Sequence, residues 1–546
     1  MQIRSLLILV FSLLCMSVPA LYAVEPVAKT DKNDNVAQLL TRTKQLESEV
    51  SKLKAELGDD ENDKKTSAPA NSKNSAPAAK KTKLPKILPV YNYFHHPTTV
   101  SEEPANYKPP KKIPIVVEGK KFLVRRIHIP SPIYFGGTPV ITSPYLGIRS
   151  EFDGTDLITN IPGVNEDLRI LRQMMKLHMV YAEHGIPYPN HPYLELSGKV
   201  EGQSYIQTPY TGNRVSDINL VSAELDTLPI INQWAFGLIT FNFDNSSPTT
   251  GPLTREFNSR VFVAKAFLTV GNLCYTPFYG SIGQMVVPFG VYSSNMLSAP
   301  LTSFISKTLQ RALLLGYSQG DTGLYSSAYT FRGDSGTGGS TGHINNGGVN
   351  LGYIYKNGPF SMDVGTGWIA NITDSLGMQT NGQPTSPPQF AGFAVSSATE
   401  VLNHRVPGYN LRGSFTLGDW GLIAEYVGAM TQYSYPNLYF DGHGARPSAA
   451  NIEGSYNFKT VTLPSSIAVG YQVSNQALAL NIPRQRYITA YNLVIMKDTI
   501  ATAEYRHDIN YPASNFAGGT GSLPFLTNGQ TGHTSDTFTV QFGIYF

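Results

Sequence analysis

Charge and cysteine are both scarce in this chain. Asp, Glu, Lys and Arg together make up 15% of the 546 residues, whereas ordinary globular chains carry about 25%. Cys15 and Cys274 are the only cysteines, and Cys15 falls in the predicted leader peptide, so a disulfide framework is excluded. After the first twenty residues the sequence contains no run of eighteen apolar residues, which excludes a transmembrane helix from the mature chain.

The last ten residues alternate between apolar and mostly polar side chains. Because successive side chains of a strand point to opposite faces, such a strand has one apolar face. Ten residues are about what a tilted strand needs to cross the hydrocarbon core of a bilayer. A final strand of this kind ending in Phe is typical of bacterial outer-membrane barrels, although the last strand of a soluble sandwich would alternate in the same way. The apolar positions are Phe538, Val540, Phe542, Ile544 and Phe546.

The same period of two recurs from residue 193 to the end of the chain, for example in residues 194–201, 409–417 and 467–474. Charged residues lie in the middle of several of these strands, on the face opposite the apolar one. In a membrane barrel the apolar face meets lipid and the charged face meets a wet lumen. Allowing roughly 22 residues for a strand and its connection, the sequence predicts an all-β fold, a transmembrane antiparallel β-barrel of about 16 strands.

Three segments without strand alternation come first. Residues 1–23 are predicted to be a secretory signal peptide, with Arg4 at its positive end. Residues 24–57 contain three heptads, which predict a short coiled-coil helix; a single amphipathic helix is the alternative. Residues 58–121 are rich in Lys and Pro and lack periodicity, so we expect a disordered linker.

Residues 122–190 regain globular composition and contain one predicted helix. Asn165 is a suitable N-cap, Glu166 and Asp167 complement the helix dipole, and Gly185 is a suitable stop. We expect this periplasmic or plug-like segment either to pack beneath the mouth of the barrel or to enter its lumen, and the sequence leaves both open. The outer-membrane barrel itself is assigned to residues 191–546.

The net charge of +3 hides an uneven distribution. Residues 64–126 hold 14 Lys or Arg and 3 Asp or Glu, a net of +11, whereas residues 127–546 hold 21 and 26, a net of −5. A basic tail suits an anionic lipid surface or a cell-wall polymer. We therefore expect outer-membrane lipid, lipopolysaccharide and peptidoglycan as partners, and no nucleic acid.

Signatures of catalysis are missing from the sequence. His507 and Asp508 are adjacent, but neighbouring residues of a strand face opposite ways and cannot form a dyad directly. The sequence has no Gly-x-Ser-x-Gly elbow, His-Glu-x-x-His helix or Walker loop. It predicts neither an enzyme nor a bound cofactor or metal.

Charged residues on the polar faces of the strands are the candidate pore-lining or ligand-binding residues. In a pore such side chains set the field and bind or steer ionic solutes. Opposed charges across a lumen also hold a barrel in shape, and the sequence does not separate the two roles. The strand phase is clearest for Arg412. The full set is Lys199, Glu201, Arg412, Glu425, Glu453, Arg486, Glu504 and Arg506.

Several short segments of the sequence are more specific than its overall composition. They are residues 142–147 (TSPYLG), 165–169 (NEDLR), 196–202 (LSGKVEG), 283–292 (GQMVVPFGVY) and 297–302 (LSAPLT). Together they resemble the LbtU-like siderophore porin family of intracellular-living gammaproteobacteria. The resemblance implies an outer-membrane porin or receptor for a ferric siderophore, with an N-terminal extension in the periplasm. The Gln-x-x-x-Pro-Phe-Gly segment also occurs in other porins.

Three functions remain open at this point. The first is a porin-like receptor or channel that takes up a ferric siderophore or another small solute. The second is a general diffusion porin anchored to the cell wall by its N-terminal extension. The third is a surface adhesin or structural barrel. The predicted coiled coil favours a homo-oligomer, and the predicted location is the bacterial outer membrane with the extension in the periplasm.

Overall fold

The computed structural model describes residues 113–117, 120–124, 133–135, 138–142, 163–183, 192–244, 260–337, 342–382, 389–394, 401–496, 499–523, 527 and 529–545. The predicted signal peptide and coiled coil lie outside these residues, as does most of the predicted linker. In the part of the chain that is described, no helix is long and apolar enough to cross a membrane.

The elements follow the chain in a simple order. Four short strands come first: β1 Ile113–Val117, β2 Lys120–Val124, β3 Ile133–Phe135 and β4 Thr138–Thr142. Helix α1, Glu166–Glu183, precedes the long strands. These are β5 Tyr193–Thr208, β6 Val215–Asn232, β7 Ala235–Asp244, β8 Arg260–Gly271, β9 Phe278–Val286, β10 Leu309–Ser318, β11 Gly323–Phe331, β13 Asn346–Asn357, β14 Phe360–Ile369, β16 Gly408–Leu417, β17 Trp420–Ala429, β20 Ser448–Thr460, β21 Leu463–Asn475, β22 Gln485–Met496, β23 Thr499–Ile509 and β25 Thr534–Tyr545.

Short elements lie within the connections of the long strands. The strands among them are β12 Gly336–Thr337, β15 Val401–Leu402, β18 Leu438–Phe440, β19 His443–Gly444 and β24 Ala517–Gly519. The helices are α2 Leu301–Ser306 and α3 Leu376–Gln379, with 3-10 turns at Ile372–Asp374 and Leu478–Leu480.

The sixteen long strands close into one antiparallel barrel. Each pairs with the next along the chain, and β25 pairs with β5 from Tyr545 opposite Lys199 to Asp536 opposite Thr208. Closure removes the edges of the sheet, which a sheet in a bilayer requires because lipid cannot hydrogen-bond to backbone groups. The prediction of a transmembrane antiparallel barrel of about 16 strands is confirmed.

Burial alternates along the barrel strands. In β25, Phe542 and Ile544 are exposed on the outer face, whereas Thr539 and Gln541 are buried toward the lumen. An apolar outside and a polar inside is the arrangement of a barrel embedded in lipid and the reverse of a soluble sandwich.

The two ends of the barrel differ in the length of their connections. The turn end has the connections 233–234, 272–277, 319–322, 358–359, 418–419, 461–462 and 497–498. The loop end has the connections 209–214, 245–259, 287–308, 332–345, 370–407, 430–447, 476–484 and 510–533. Short turns face the periplasm and long loops face the outside in bacterial outer-membrane barrels.

Helix α1 lies inside the barrel. Its polar side chains contact inward-facing residues of three strands, namely Lys265 on β8, Ser281 on β9 and Ser318 on β10. Its apolar side chains, including Leu168 and Met175, are buried in the common core. Of the two locations that the sequence left open, the helix occupies the lumen.

The start of α1 agrees only partly with the sequence prediction. The carbonyl of Asn165 accepts the Arg169 N–H at 2.9 Å, so the helix begins at the expected place. The backbone of Asn165 is left-handed, with φ of 53°, a conformation that Asn tolerates better than most residues. Its side-chain oxygen accepts a hydrogen bond from Asn350 at 3.4 Å. The expected side-chain cap is therefore replaced by a contact with the barrel wall.

The connection between β9 and β10, residues 287–308, folds into the lumen, and we call it the constriction loop. It carries α2 and reaches the opposite wall, where its backbone N–H groups meet side chains of β17, β20, β21 and β23. The α1 helix and the constriction loop together occupy much of the interior. No pattern in the sequence predicted this loop.

The connections at the loop end pack against one another. Strand β18 pairs with β19 and β24, which joins two loops into a small sheet. Aromatic side chains add to this packing: Phe393 stacks on Tyr433 at 5.6 Å between ring centroids, and Phe440 meets Tyr511 edge-on at 5.7 Å. The described residues of these loops therefore pack together at the loop end of the barrel.

Candidate functional site

Three glutamates of the barrel wall hold the constriction loop, namely Glu425 on β17, Glu453 on β20 and Glu504 on β23. Glu504 accepts hydrogen bonds from the backbone N–H groups of Leu297 and Ser298, at 2.6 and 3.0 Å. It also accepts one from the Ser298 hydroxyl at 2.6 Å. Both oxygens of this carboxylate are therefore bonded to the tip of the loop.

The other two glutamates bind the loop in the same way. Glu425 accepts the N–H of Val291 and the hydroxyl of Thr302, both at 2.7 Å. Glu453 accepts the N–H of Asn295 at 3.1 Å. Ionised acceptors make stronger hydrogen bonds than neutral ones, so three carboxylates suit a loop with unpaired backbone donors. In the observed structure these three predicted residues fix the loop in place.

Two arginines and an aspartate lie beside the loop tip. Asp508 on β23 pairs with Arg486 Nε at 2.7 Å and with Arg506 Nε at 3.1 Å. Arg486 also donates to the carbonyl of Ala299 at 3.3 Å, and Arg506 donates to the Ser298 hydroxyl at 2.9 Å. Both arginines therefore contact the loop and share one carboxylate.

Arg412 on β16 lies in a separate buried network. Its guanidinium donates to the side-chain oxygens of Asn410 at 3.0 Å and Asn350 at 2.5 Å, and to the Tyr325 hydroxyl at 3.3 Å. Tyr325 in turn donates to Asp363 at 2.8 Å. Arg412 therefore ties together inner-face residues of β11, β13, β14 and β16.

Five alternating charges run from β5 to α1, and we call them the ion-pair chain. Lys199 lies 3.2 Å from Glu201 and 4.0 Å from Glu224. Lys265 lies 3.8 Å from Glu224 and 2.8 Å from Glu166, in the first turn of α1. The chain thus links the wall of the barrel to the lumenal helix.

Further polar contacts hold α1 along its length. Asp167 accepts the Ser281 hydroxyl at 2.7 Å, and burial raises the pKa of Asp167 although this hydrogen bond opposes the rise. Lys176 pairs at 2.8 Å with Asp321, in the turn between β10 and β11. Burial acts to raise the pKa of Asp321, but Lys176 and Lys356 outweigh it and hold that pKa well below the ordinary value. Asp321 therefore stays ionised and keeps its pair with the helix.

A cavity of about 250 Å³ lies between the tip of the constriction loop and the wall formed by β5, β23 and β25, and we call it the polar cavity. Most of its lining groups are hydroxyls and amides, which can both donate and accept hydrogen bonds. The arrangement can therefore hydrate and orient a small polar solute. The lining residues are Gln203, Tyr205, Gln207, Leu297, Ser298, Glu504, Arg506, Thr537 and Thr539.

The structure places all eight predicted residues on the inner face of the barrel. Two of them, Glu504 and Arg506, line the polar cavity, and the other six lie in the networks described above. The uncharged lining residues were not predicted, because only charged positions on the polar faces were taken as candidates. A signal for them existed, since Gln203 and Gln207 on β5 share the strand phase of Lys199.

His507 and Asp508 face opposite sides of the barrel, as their adjacency on a strand predicts. Asp508 is buried inside, whereas His507 lies on the outer face and its Nδ1 contacts Asp536 of β25 at 2.7 Å. Asp536 also accepts the Tyr505 hydroxyl at 2.7 Å. This cross-strand cluster lies apart from the lumenal networks.

Solved structures similar to this chain include outer-membrane proteins of two bacteria. The outer membrane channel DcaP of Acinetobacter baumannii matches with a TM-score of 0.41 and 14% identity, over 65% of this chain and 98% of that one. OmpT, an outer membrane protein of Vibrio cholerae, matches with a TM-score of 0.40 and 12% identity, over 65% of this chain and 100% of that one.

Sequence relatives cover most of the chain. No family model matches it. A UPF0422 protein of Legionella pneumophila strain Lens is 39% identical over 419 residues, which are 76% of this chain and 78% of the relative. A UPF0422 protein of Coxiella burnetii is 37% identical over 405 residues, 74% of this chain and 83% of the relative. The chain, a closed antiparallel β-barrel of sixteen long strands, therefore belongs to the UPF0422 family.

Proposed function

We propose that the protein is a selective outer-membrane channel for small polar solutes and that a ferric siderophore is among them. The observation that carries the proposal is the polar cavity inside the closed barrel, at the tip of the constriction loop. A hydrated, polar-lined space at this position suits the passage of solutes. An adhesive or structural role does not account for it.

The size of the cavity favours selectivity over general diffusion. A volume of about 250 Å³ equals that of about eight waters at ~30 Å³ each. Ions and small metabolites fit such a space. A ferric siderophore, which the sequence resemblance supports, requires α1 or the constriction loop to move during its passage.

Two measurements test the proposal. Purified protein in planar bilayers should show ohmic conductance, and cells that carry the protein should take up radiolabelled ferric siderophore faster than cells that lack it. Thr539→Trp, which fills the cavity from β25, should lower the conductance several-fold. Val540→Trp, on the outer face of the same strand, is the matched control and should leave it unchanged.

The outcomes separate the alternatives. Conductance without siderophore uptake would leave a channel for other small solutes and remove the siderophore. Equal effects of the two tryptophan variants would show that the polar cavity is not the route. A barrel without conductance or uptake would contradict the channel and favour the adhesive or structural role.

A further inference from the structure

The charges that border the polar cavity differ in how far they are covered. The side chain of Arg506 is 22% exposed, whereas that of its partner Asp508 is 7% exposed. Glu504 also lines the cavity, but both its oxygens accept hydrogen bonds from the constriction loop. A solute in the cavity therefore meets the cation before it meets either carboxylate.

The same contrast recurs further along the wall toward the turn end. The side chain of Lys199 is 20% exposed, whereas its partners Glu201 and Glu224 are 6% and 13% exposed. Lys199 lies two inward-facing positions beyond Gln203, which lines the cavity. At about 3.3 Å per residue these positions are about 13 Å apart. Two half-buried cations, each more exposed than its partners, thus follow one another along the same wall.

A third cation comes from the constriction loop. Lys307 directly follows α2 and is half-buried, and within the described residues its side chain makes no hydrogen bond or ion pair. Burial lowers the pKa of Lys307 to about 8, and the nearby Lys265 and Lys199 act in the same direction against Glu224 and Glu166. The ammonium group is therefore still mostly protonated at neutral pH.

Arg506 retains donors for a ligand. A guanidinium carries five N–H groups in a planar fork that matches a carboxylate. Its two terminal nitrogens donate once each, to the Ser298 hydroxyl and the Thr537 hydroxyl, and its Nε lies 3.1 Å from Asp508 as an ion pair. Two N–H groups, one on each terminal nitrogen, remain for a solute.

We propose that the route through the polar cavity and past Lys199 selects anions, so that the solutes of the channel are small carboxylate-bearing anions. Arg506 and Lys199 are half-buried but more exposed than the carboxylates that balance them, which are turned into the wall or bound to the constriction loop. These cations and carboxylates nearly cancel in number. The selectivity therefore follows from which sign of charge a solute can reach. This inference rests on the proposed function, because it names the substrate class of the same passage.

Reversal potentials in a KCl gradient test the proposal on the full-length protein in planar bilayers. The wild type should be more permeable to chloride than to potassium, and millimolar citrate should reduce the chloride current. Arg506→Gln and Lys199→Met should each lower the chloride-to-potassium permeability ratio several-fold. Arg311→Gln is the matched control, because Arg311 is exposed on the outer face of β10, and it should leave the ratio unchanged.

The results separate this inference from the function on which it rests. A potassium-preferring wild type, or equal shifts for Arg506→Gln and Arg311→Gln, would overturn anion selectivity while the conductance still supports a channel. A barrel without conductance would overturn the channel and the selectivity together. Heat-modifiable migration in gels shows that each variant has folded before its current is measured.

Discussion

Glu504 lines the polar cavity, yet both oxygens of its carboxylate accept hydrogen bonds from the constriction loop. One of the donors is the N–H group of Leu297, which lies 207 residues earlier in the chain. Strand phase alone predicts that Glu504 faces the lumen, but it cannot reveal a partner so distant in sequence. At the scale of the residue, the sequence therefore predicts to which face of the barrel a side chain points, but not which group it contacts there.

Glu504→Ala should loosen the tip of the loop. Two backbone N–H groups and one hydroxyl of half-buried residues lose their acceptor. A hydrogen bond to a charged group contributes about 1.5–3 kcal/mol. We expect amide hydrogen exchange at Leu297 and Ser298 to speed up at least about tenfold. Glu504→Gln, which keeps one carbonyl acceptor, should show a smaller effect. Unchanged exchange in both variants would contradict the anchoring role.

Lys307 should make the anion selectivity depend on pH. A lysine is charged below its pKa, and that of Lys307 is about 8 because of burial and the nearby Lys265 and Lys199, which outweigh Glu224 and Glu166. The chloride-to-potassium permeability ratio should therefore fall as the pH rises from 7 to 9. The measurement is a series of reversal potentials over this range.

Lys307→Met serves as the control for the pH series. It removes the titrating group, so its permeability ratio should start lower and stay flat between pH 7 and 9. A pH step of the same size in the variant would assign the titration to another group and contradict the prediction.

At the scale of the element, the strands and α1 were predictable because their patterns are local. The alternation in residues 537–546 corresponds to β25, and the acidic first turn at Glu166 and Asp167 marks the start of α1. The location of α1 was not predictable, since Lys265, Ser281 and Ser318 lie on three different strands. No local sequence pattern specifies that these three side chains meet at the helix.

The constriction loop shows the same limit more strongly. In the sequence, residues 287–308 look like any other connection between strands, because the acceptors that draw them inward lie on β17, β20 and β23. The uncharged lining of the polar cavity was missed for a related reason. Glutamines and threonines on an inner face signal a wet lumen but no particular site.

The ion-pair chain makes a prediction about how α1 is held. Lys265→Met takes from buried Glu166 its 2.8 Å partner and leaves it only the 3.3 Å pair with Arg169. Breaking a buried pair costs up to about 3–5 kcal/mol when no other partner remains, so we expect a smaller cost here. A cysteine at Met174, in a Cys274→Ser background, should then react with maleimide faster than in the parent. Adding Glu166→Gln removes the carboxylate that has lost Lys265 and should restore much of the protection. Equal reactivity in all three proteins would contradict a role in docking α1.

At the scale of the whole molecule, a 16-stranded barrel is wide enough for an aqueous channel. The polar cavity beside the constriction loop has a volume of about 250 Å³, below the ~300–1,000 Å³ of pockets that hold drug-sized ligands. A solute larger than this cavity can pass only if α1 or the constriction loop moves. Small ions and large solutes should therefore depend on α1 differently.

A disulfide between α1 and β9 should separate the two kinds of passage. The side chains of Asp167 and Ser281 are in contact at 2.7 Å, so cysteines at both positions face each other. A thiol is one bond shorter than a carboxylate, so a disulfide forms there only when α1 moves toward β9 by about one bond length. Cys274 is buried and Cys15 lies in the predicted leader, so competing thiols are few. The oxidised double variant should keep its chloride conductance and lose siderophore uptake, and a reductant should restore uptake. Each single cysteine variant controls for the substitutions, and full uptake by the oxidised double variant would show that α1 stays in place while the solute passes.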